Sequence, residues 1–160
     1  MANAVYFSIM DSPLGSLTVA STGKGLASIH FGLNIPSDGV INDEPNRKAM
    51  QQLQEYFDGL RTQFDLALDL QGTPFQMAVW DELRKIPYGS TCSYIDIARA
   101  LGKPGAARAV GMANHENPVA VVIPCHRVVG SNGSLTGYAG GLHIKQQLLG
   151  IEQQAQLLFT

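Results

Sequence analysis

The sequence predicts an α+β protein, with an antiparallel sheet and one helix over residues 1–72 and a mostly helical domain over residues 73–160. Three observations predict this. The first third alternates apolar and polar residues with a period of two, as half-buried strands do. Helical spacing takes over after Gly72. Two short helical stretches then flank a Gly-Lys-Pro turn, the layout of a helix-turn-helix.

In chain order, Val5, Phe7 and Ile9 alternate with Ala4, Tyr6 and Ser8, and Leu17 and Val19 with Ser16 and Thr18. Ala27, Ile29 and Phe31 alternate with Ser28 and His30. Turn residues at 13–15 and 23–25 separate these runs, which suggests an antiparallel meander. Pro36, Gly39 and Pro45 mark residues 33–46 as a loop. Met50, Leu53, Phe57 and Leu60 share one helical face, and Gly59 ends that helix. Phe64, Leu66, Leu68 and Leu70 alternate again and predict a further strand. Thr73 followed by Pro74 is a helix start, with Phe75, Val79, Leu83 and Ile86 on the buried face and Pro87-Tyr88-Gly89 as the stop. Ser93 or Thr91 caps a short helix through Leu101, and a second runs from Gly105 to Ala113. The apolar run Val119–Ile123 predicts a buried strand.

The chain of 160 residues is 45% hydrophobic and 15% charged, a composition that folds. No apolar run reaches membrane-spanning length, and the first ten residues lack a basic-then-apolar pattern, so neither a membrane span nor a secretion signal is expected. Two cysteines do not make a disulfide framework, and a reducing cytoplasm suits a free thiol. The net charge of −2 argues weakly against a generic nucleic-acid binder, but the charge is uneven. Residues 1–75 carry −4 and residues 76–160 carry +2, with five basic residues and one acid between Arg84 and Arg108. A solvated face is the bland explanation of such a cluster.

The second short helix offers Gly105, Ala106, Ala107, Ala109, Gly111 and Ala113, with Arg108 as its one basic side chain. A major-groove reader presents long polar side chains to base edges. A small-residue face instead lets the backbone approach something narrow, either the minor groove or another helix.

Cys125 beside His126, after the apolar run, is the strongest chemical signal. A thiolate is the reactive form, and a nearby base helps to produce it. Neighbours on a regular element point apart, so a bridging water is needed between thiol and imidazole. His126 then requires a partner on its other nitrogen, for which Glu152 is the candidate. Competing readings are a small core cysteine, which also suits Cys92, and a thiol hydrolase, for which no oxyanion site is evident. A zinc site built from Cys92, Cys125 and the histidines lacks any CxxC or HxxxH spacing.

The segments Asn117-Pro118-Val119, Ile123-Pro124-Cys125-His126-Arg127-Val128-Val129 and Tyr138-Ala139-Gly140-Gly141-Leu142 resemble those of the O6-alkylguanine-DNA alkyltransferases. Tyr94 and Ala106-Ala107-Arg108-Ala109-Val110-Gly111 match as well, and the Ser12-Pro13-Leu14-Gly15 turn resembles that of bacterial members. The likeness is strong over residues 73–152 and rests on layout before that.

The resemblance implies a ribonuclease-H-like N-terminal domain and a winged-helix-like C-terminal one. It implies a monomer that repairs double-stranded DNA by irreversible, stoichiometric transfer of the alkyl group from O6-alkylguanine, and from O4-alkylthymine, to Cys125. No metal or other cofactor is implied. His126 and Glu152 would activate Cys125 through water, Tyr94 would protonate the departing guanine, and Asn117 would brace the turn. Arg108 would fill the gap left by a base flipped out through the minor groove, with Ala106, Ala107, Gly111, Lys103 and Ser93 on the DNA. Tyr138, Ala139, Ala120 and Val128 would line the base pocket. A non-reacting module that only flags alkylguanine is the alternative.

Ala139 stands where many members have Ser, and Ala120 where some have Pro. Benzyl adducts should therefore be held less well than methyl groups. Parallel transfer-rate measurements check this, and equal or faster benzyl transfer contradicts it.

Overall fold

The computed structural model describes residues 4–135, 138 and 141–158, with side chains as far as residue 154. The chain divides into two compact units, Met1–Gln71 and Gly72–Thr160.

In the first unit, β1 (Tyr6–Ser12) pairs antiparallel with β2 (Gly15–Ser21), and β2 with β3 (Leu26–Phe31), as the alternation predicts. The loop expected over residues 33–46 contains two regular pieces. Val40–Ile41 forms β4, parallel to β1, and Glu44–Asn46 is a single 3-10 turn. The sheet is therefore mixed, in the order β3-β2-β1-β4. A two-residue strand is too short to show a period.

Helix α1 (Arg47–Phe57) buries Ala49, Leu53 and Tyr56. The strand expected over residues 64–70 is reduced to one parallel bridge, Leu26 to Leu68. Two contacts explain this. The Gln52 side-chain amide takes both backbone groups of Asp65, at 3.1 and 2.9 Å. The partner strand only begins at Leu26, after Gly25, whose φ of +155° and close approach to Ala67 O leave no room for a side chain.

In the second unit, α2 (Pro74–Leu83) begins with Thr73 accepting from the Gln76 amide, while the Gln76 side chain accepts from Thr73 N. It ends at Leu83 rather than Ile86, relaxing into a tighter turn before Pro87. β5 (Cys92–Ser93) leads directly into α3 (Tyr94–Ala100), which Ser93 and Asp96 cap in the same reciprocal way. Residues 101–106 turn the chain into α4 (Ala107–His115), which packs on both α2 and α3. Trp80, 2% exposed, donates from Nε1 to Ala113 O at 2.8 Å and so locks α2 to the end of α4. β6 (Val128–Val129) runs parallel to β5, and α5 (Leu142–Leu158) follows.

The strand expected over Val119–Ile123 is a tight turn instead. Ile123 N donates to Val119 O at 3.0 Å, Val122 N donates to Ala120 O at 2.9 Å, and Val121 sits at φ +73°. A β-branched residue there is strained by roughly 1–3 kcal/mol. The Asn117 side chain holds the turn at both ends. It donates to Ile123 O at 2.9 Å and accepts from Val119 N at 3.0 Å. Burial makes such a run apolar whether it is extended or folded back, so composition did not separate the two cases.

Candidate active site

Cys125, His126 and Arg127 form a single 3-10 turn directly after the strained one. Wound this way, neighbouring side chains leave in different directions. Cys125 is 5% exposed, and its Sγ accepts from Asn117 Nδ2 at 3.0 Å. His126 is wholly buried and turns its Nε2 to Glu152 Oε2, 2.7 Å away. Glu152 comes from α5, so the site joins this turn to a helix 26 residues further along the chain.

Glu152 is saturated with donors. Arg127 Nε reaches Oε1 at 2.8 Å, Arg127 Nη2 reaches Oε2 at 3.0 Å, and Gly89 N reaches Oε1 at 3.2 Å. Burial pushes this carboxyl up, but the hydrogen bonds from His126 and Arg127 outweigh it and hold the group at about 2. Glu152 is therefore an anion throughout the physiological range. A carboxylate only accepts, so the proton of neutral His126 lies on Nε2 and Nδ1 carries the lone pair. Among the described residues, Nδ1 has no hydrogen-bond partner.

Burial keeps the rest of the site neutral. It pushes the Cys125 thiol up, against hydrogen bonds from Asn117 and Tyr138 and the charge of Lys145, which favour the thiolate. It pushes His126 down, against the pull of Glu152. The resting pair is thus a thiol and a neutral imidazole, and Cys125 becomes a thiolate only if its proton is carried away during reaction.

The remaining site residues predicted from the sequence fall in several places. Tyr94 opens α3, and its ring lies against the open backbone of Gly111 on α4. Tyr94, Ala107, Arg108 and Gly111 together line a cavity of about 650 Å³ that reaches Gly130 and Ser131. Arg108 is exposed. Ala106 immediately precedes α4 as its cap residue. Lys103 lies 5.3 Å from the Phe75 ring, and the Ser93 hydroxyl is committed to capping α3. Ala120 is buried within the strained turn. Val128 is wholly buried opposite Cys92 in the two-stranded sheet. Tyr138 is 7% exposed and reaches the Cys125 thiol, whereas Ala139 lies outside the described residues.

Three residues at the site carried no assigned role in the sequence reading. Arg127 clamps Glu152, donates to Ile86 O at 2.7 Å and lies over the Tyr88 ring at 5.6 Å. Lys145 is wholly buried 6.0 Å from the Tyr94 ring, and burial lowers its affinity for a proton. Asn114, 2% exposed, donates from Nδ2 to Cys125 O at 3.4 Å. Its spacing from Val110 on α4 places it on the inward face, which was the available signal. Among the described residues, no cluster of three or more His, Cys, Asp and Glu side chains is arranged to hold a metal ion. Cys92 and Cys125 are both free thiols.

Comparison with known proteins bears on this arrangement. Residues 5–70 match the family model of the 6-O-methylguanine DNA methyltransferase ribonuclease-like domain, and residues 74–154 match that of the DNA-binding domain. This chain belongs to the 6-O-methylguanine DNA methyltransferase family. A relative from Methanosarcina barkeri, named methylated-DNA–protein-cysteine methyltransferase, is 48% identical over 93% of this chain and 98% of its own length. One of the same name from Mycobacterium tuberculosis is 46% identical over 93% of each chain. The crystal structure of Mycobacterium tuberculosis OGT in complex with DNA superimposes with a TM-score of 0.88 at 45% identity, over 94% of each chain. An O6-methylguanine DNA methyltransferase from Methanococcus jannaschii gives 0.69 at 30% identity, over 91% of this chain and 93% of its own. For a family of methyltransferases, the buried thiol backed by an imidazole and a saturated carboxylate is the arrangement with chemical consequence. No helix among the described residues is long and apolar enough to cross a membrane.

Proposed function

We propose that this chain repairs DNA by moving the alkyl group of O6-alkylguanine onto Cys125 in a single, irreversible turnover. O4-alkylthymine is a second substrate of the same kind. The observation that carries this reading is the Cys125 thiol in a turn whose neighbouring imidazole presents a bare Nδ1 and is anchored through Nε2 by an ionised carboxylate.

The Cys125 proton passes through a water molecule to His126 Nδ1, and the sulfur attacks the alkyl carbon. An S–C bond forms, the C–O6 bond breaks, and the electron pair stays on the departing base. Tyr94 supplies a proton to that base, so normal guanine is released. The positive charge of Lys145 favours the thiolate as it forms. Glu152 offsets the imidazolium and fixes its orientation. The thioether product has no easy reverse path.

A base inside a duplex does not expose O6 to a buried thiol, so the nucleotide must be extruded. Helix α4 and its cap residue supply the small residues Ala106, Ala107 and Gly111 for close approach to the minor groove. Exposed Arg108, at the mouth of the 650 Å³ cavity, occupies the place of the flipped base. Lys103 and Ser93 lie on the DNA side, and Tyr138 and Ala120 line the base pocket. The protein acts as a monomer in the cytoplasm, where its thiols stay reduced.

Two measurements test this reading. Methyl transfer from an excess of damaged duplex should stop at one equivalent per protein, and continued turnover contradicts it. Arg108→Ala should slow transfer in duplex DNA roughly tenfold more than in single strands, because filling the gap offsets an unstacking cost of about a few kcal/mol. Equal slowing in both substrates removes that role from Arg108.

A further inference from the structure

Two buried polar atoms close to Cys125, His126 Nδ1 and Asn114 Oδ1, have no hydrogen-bond partner among the described residues. Such atoms are rare in folded proteins and call for an explanation. The residues that carry them meet at one peptide unit. Asn114 Nδ2 binds the Cys125 carbonyl, which belongs to the bond joining Cys125 to His126. This fixes the sense of the amide, because the group facing a carbonyl must be the donor, and Oδ1 is directed elsewhere. On His126, Nε2 is committed to Glu152, and Nδ1, bonded closer to the main chain, is the ring nitrogen left for a relay.

We propose that Asn114 is a positioning residue whose Oδ1 completes a three-cornered site, with Cys125 Sγ and His126 Nδ1, for the water molecule that relays the thiol proton. A buried water makes about three hydrogen bonds. Sγ–H donates to it and Nδ1 accepts from it, which leaves one water hydrogen in need of an acceptor. Oδ1 is a buried acceptor that binds nothing among the described residues. Holding that hydrogen turns the other toward Nδ1, so that the proton received from sulfur and the one passed to nitrogen lie on one path. Asn117 has no such freedom, since its Oδ1 is spent on Val119 N and its Nδ2 on Ile123 O and the sulfur itself. The proposal rests on Cys125 being the alkyl acceptor.

The test compares Asn114→Thr with Asn114→Val, two side chains of one shape that differ in an acceptor oxygen. Methyl transfer from an O6-methylguanine duplex to the intact protein is followed from pH 6 to pH 10. Thr should transfer about tenfold faster than Val at neutral pH, a fraction of the roughly 10²–10⁴ that a positioned base contributes. The gap should narrow toward pH 10, where hydroxide competes with the relay for the thiol proton. Equal rates, or a gap constant with pH, overturn the assignment, because a purely structural defect would not follow thiol ionisation. If Val does not fold, Asn114→Ser against Asn114→Ala makes the same comparison. Failure of the wild-type protein to methylate Cys125 would instead refute the underlying reading of the site.

Discussion

Cys125→Ser is expected to abolish alkyl transfer while preserving binding to a duplex that contains O6-methylguanine. The substitution changes one atom in a site only 5% exposed, so packing hardly alters. The chemistry alters completely. A hydroxyl holds its proton far more tightly than a thiol, and burial already pushes His126 below its usual basicity, which leaves it too weak a base to ionise serine. Intact-protein mass after incubation with the damaged duplex checks transfer, and a gel-shift titration checks binding. Residual methylation of the variant would reveal a different nucleophile.

Glu152→Ala should produce the second large effect, on both stability and transfer. It strips the buried Arg127 guanidinium of its two carboxylate contacts and leaves His126 Nε2 without an acceptor. Removing one partner of a buried ion pair costs roughly 3–5 kcal/mol. For a chain of this size that lowers Tm by roughly 10 °C. Transfer falls as well, because the imidazole loses both its orientation and the countercharge of its protonated form. Glu152→Gln keeps the shape and tests the charge alone if the alanine variant does not fold.

The acid limb of the stability curve gives an independent reading of the same carboxylate. Its folded-state value is depressed from 4.5 to about 2, so its contribution is fully present above pH 4.5 and is lost as the pH falls through about 2. The shift corresponds to about 3 kcal/mol. Denaturant titrations between pH 5 and 2 should show this loss in the wild type and a flatter profile in Glu152→Gln. Identical profiles would mean that the carboxylate is not held as an anion.

The sequence disclosed elements whose cause is local. Thr73-Pro74 with Gln76 is a helix start at any location, and the alternating runs of β1 to β3 do form paired strands, although β2 is buried on both faces and β1 buries Ser8 rather than Ile9. Cys125 and His126 stood out because a thiol beside an imidazole is rare and reactive. Elements imposed by distant partners did not read through. Val119–Ile123 has a strand's composition, yet the Asn117 side chain folds it into a turn and places Val121 at positive φ. Residues 64–70 alternate like a strand, but Gln52 claims the backbone of Asp65. β4, β5 and β6 are two residues each, below the length at which a period exists. The burial of Asn114, Arg127 and Lys145 is a tertiary property of residue types that are otherwise mostly exposed.

The whole account depends on Cys125 being the atom that accepts the alkyl group. The direct test incubates the protein with a duplex carrying one O6-methylguanine, then measures intact mass and maps the modified peptide. The account predicts one added methyl per chain, on the peptide holding Pro124-Cys125-His126, and unmodified guanine in the DNA. An unchanged mass, or a methyl on Cys92, would contradict it.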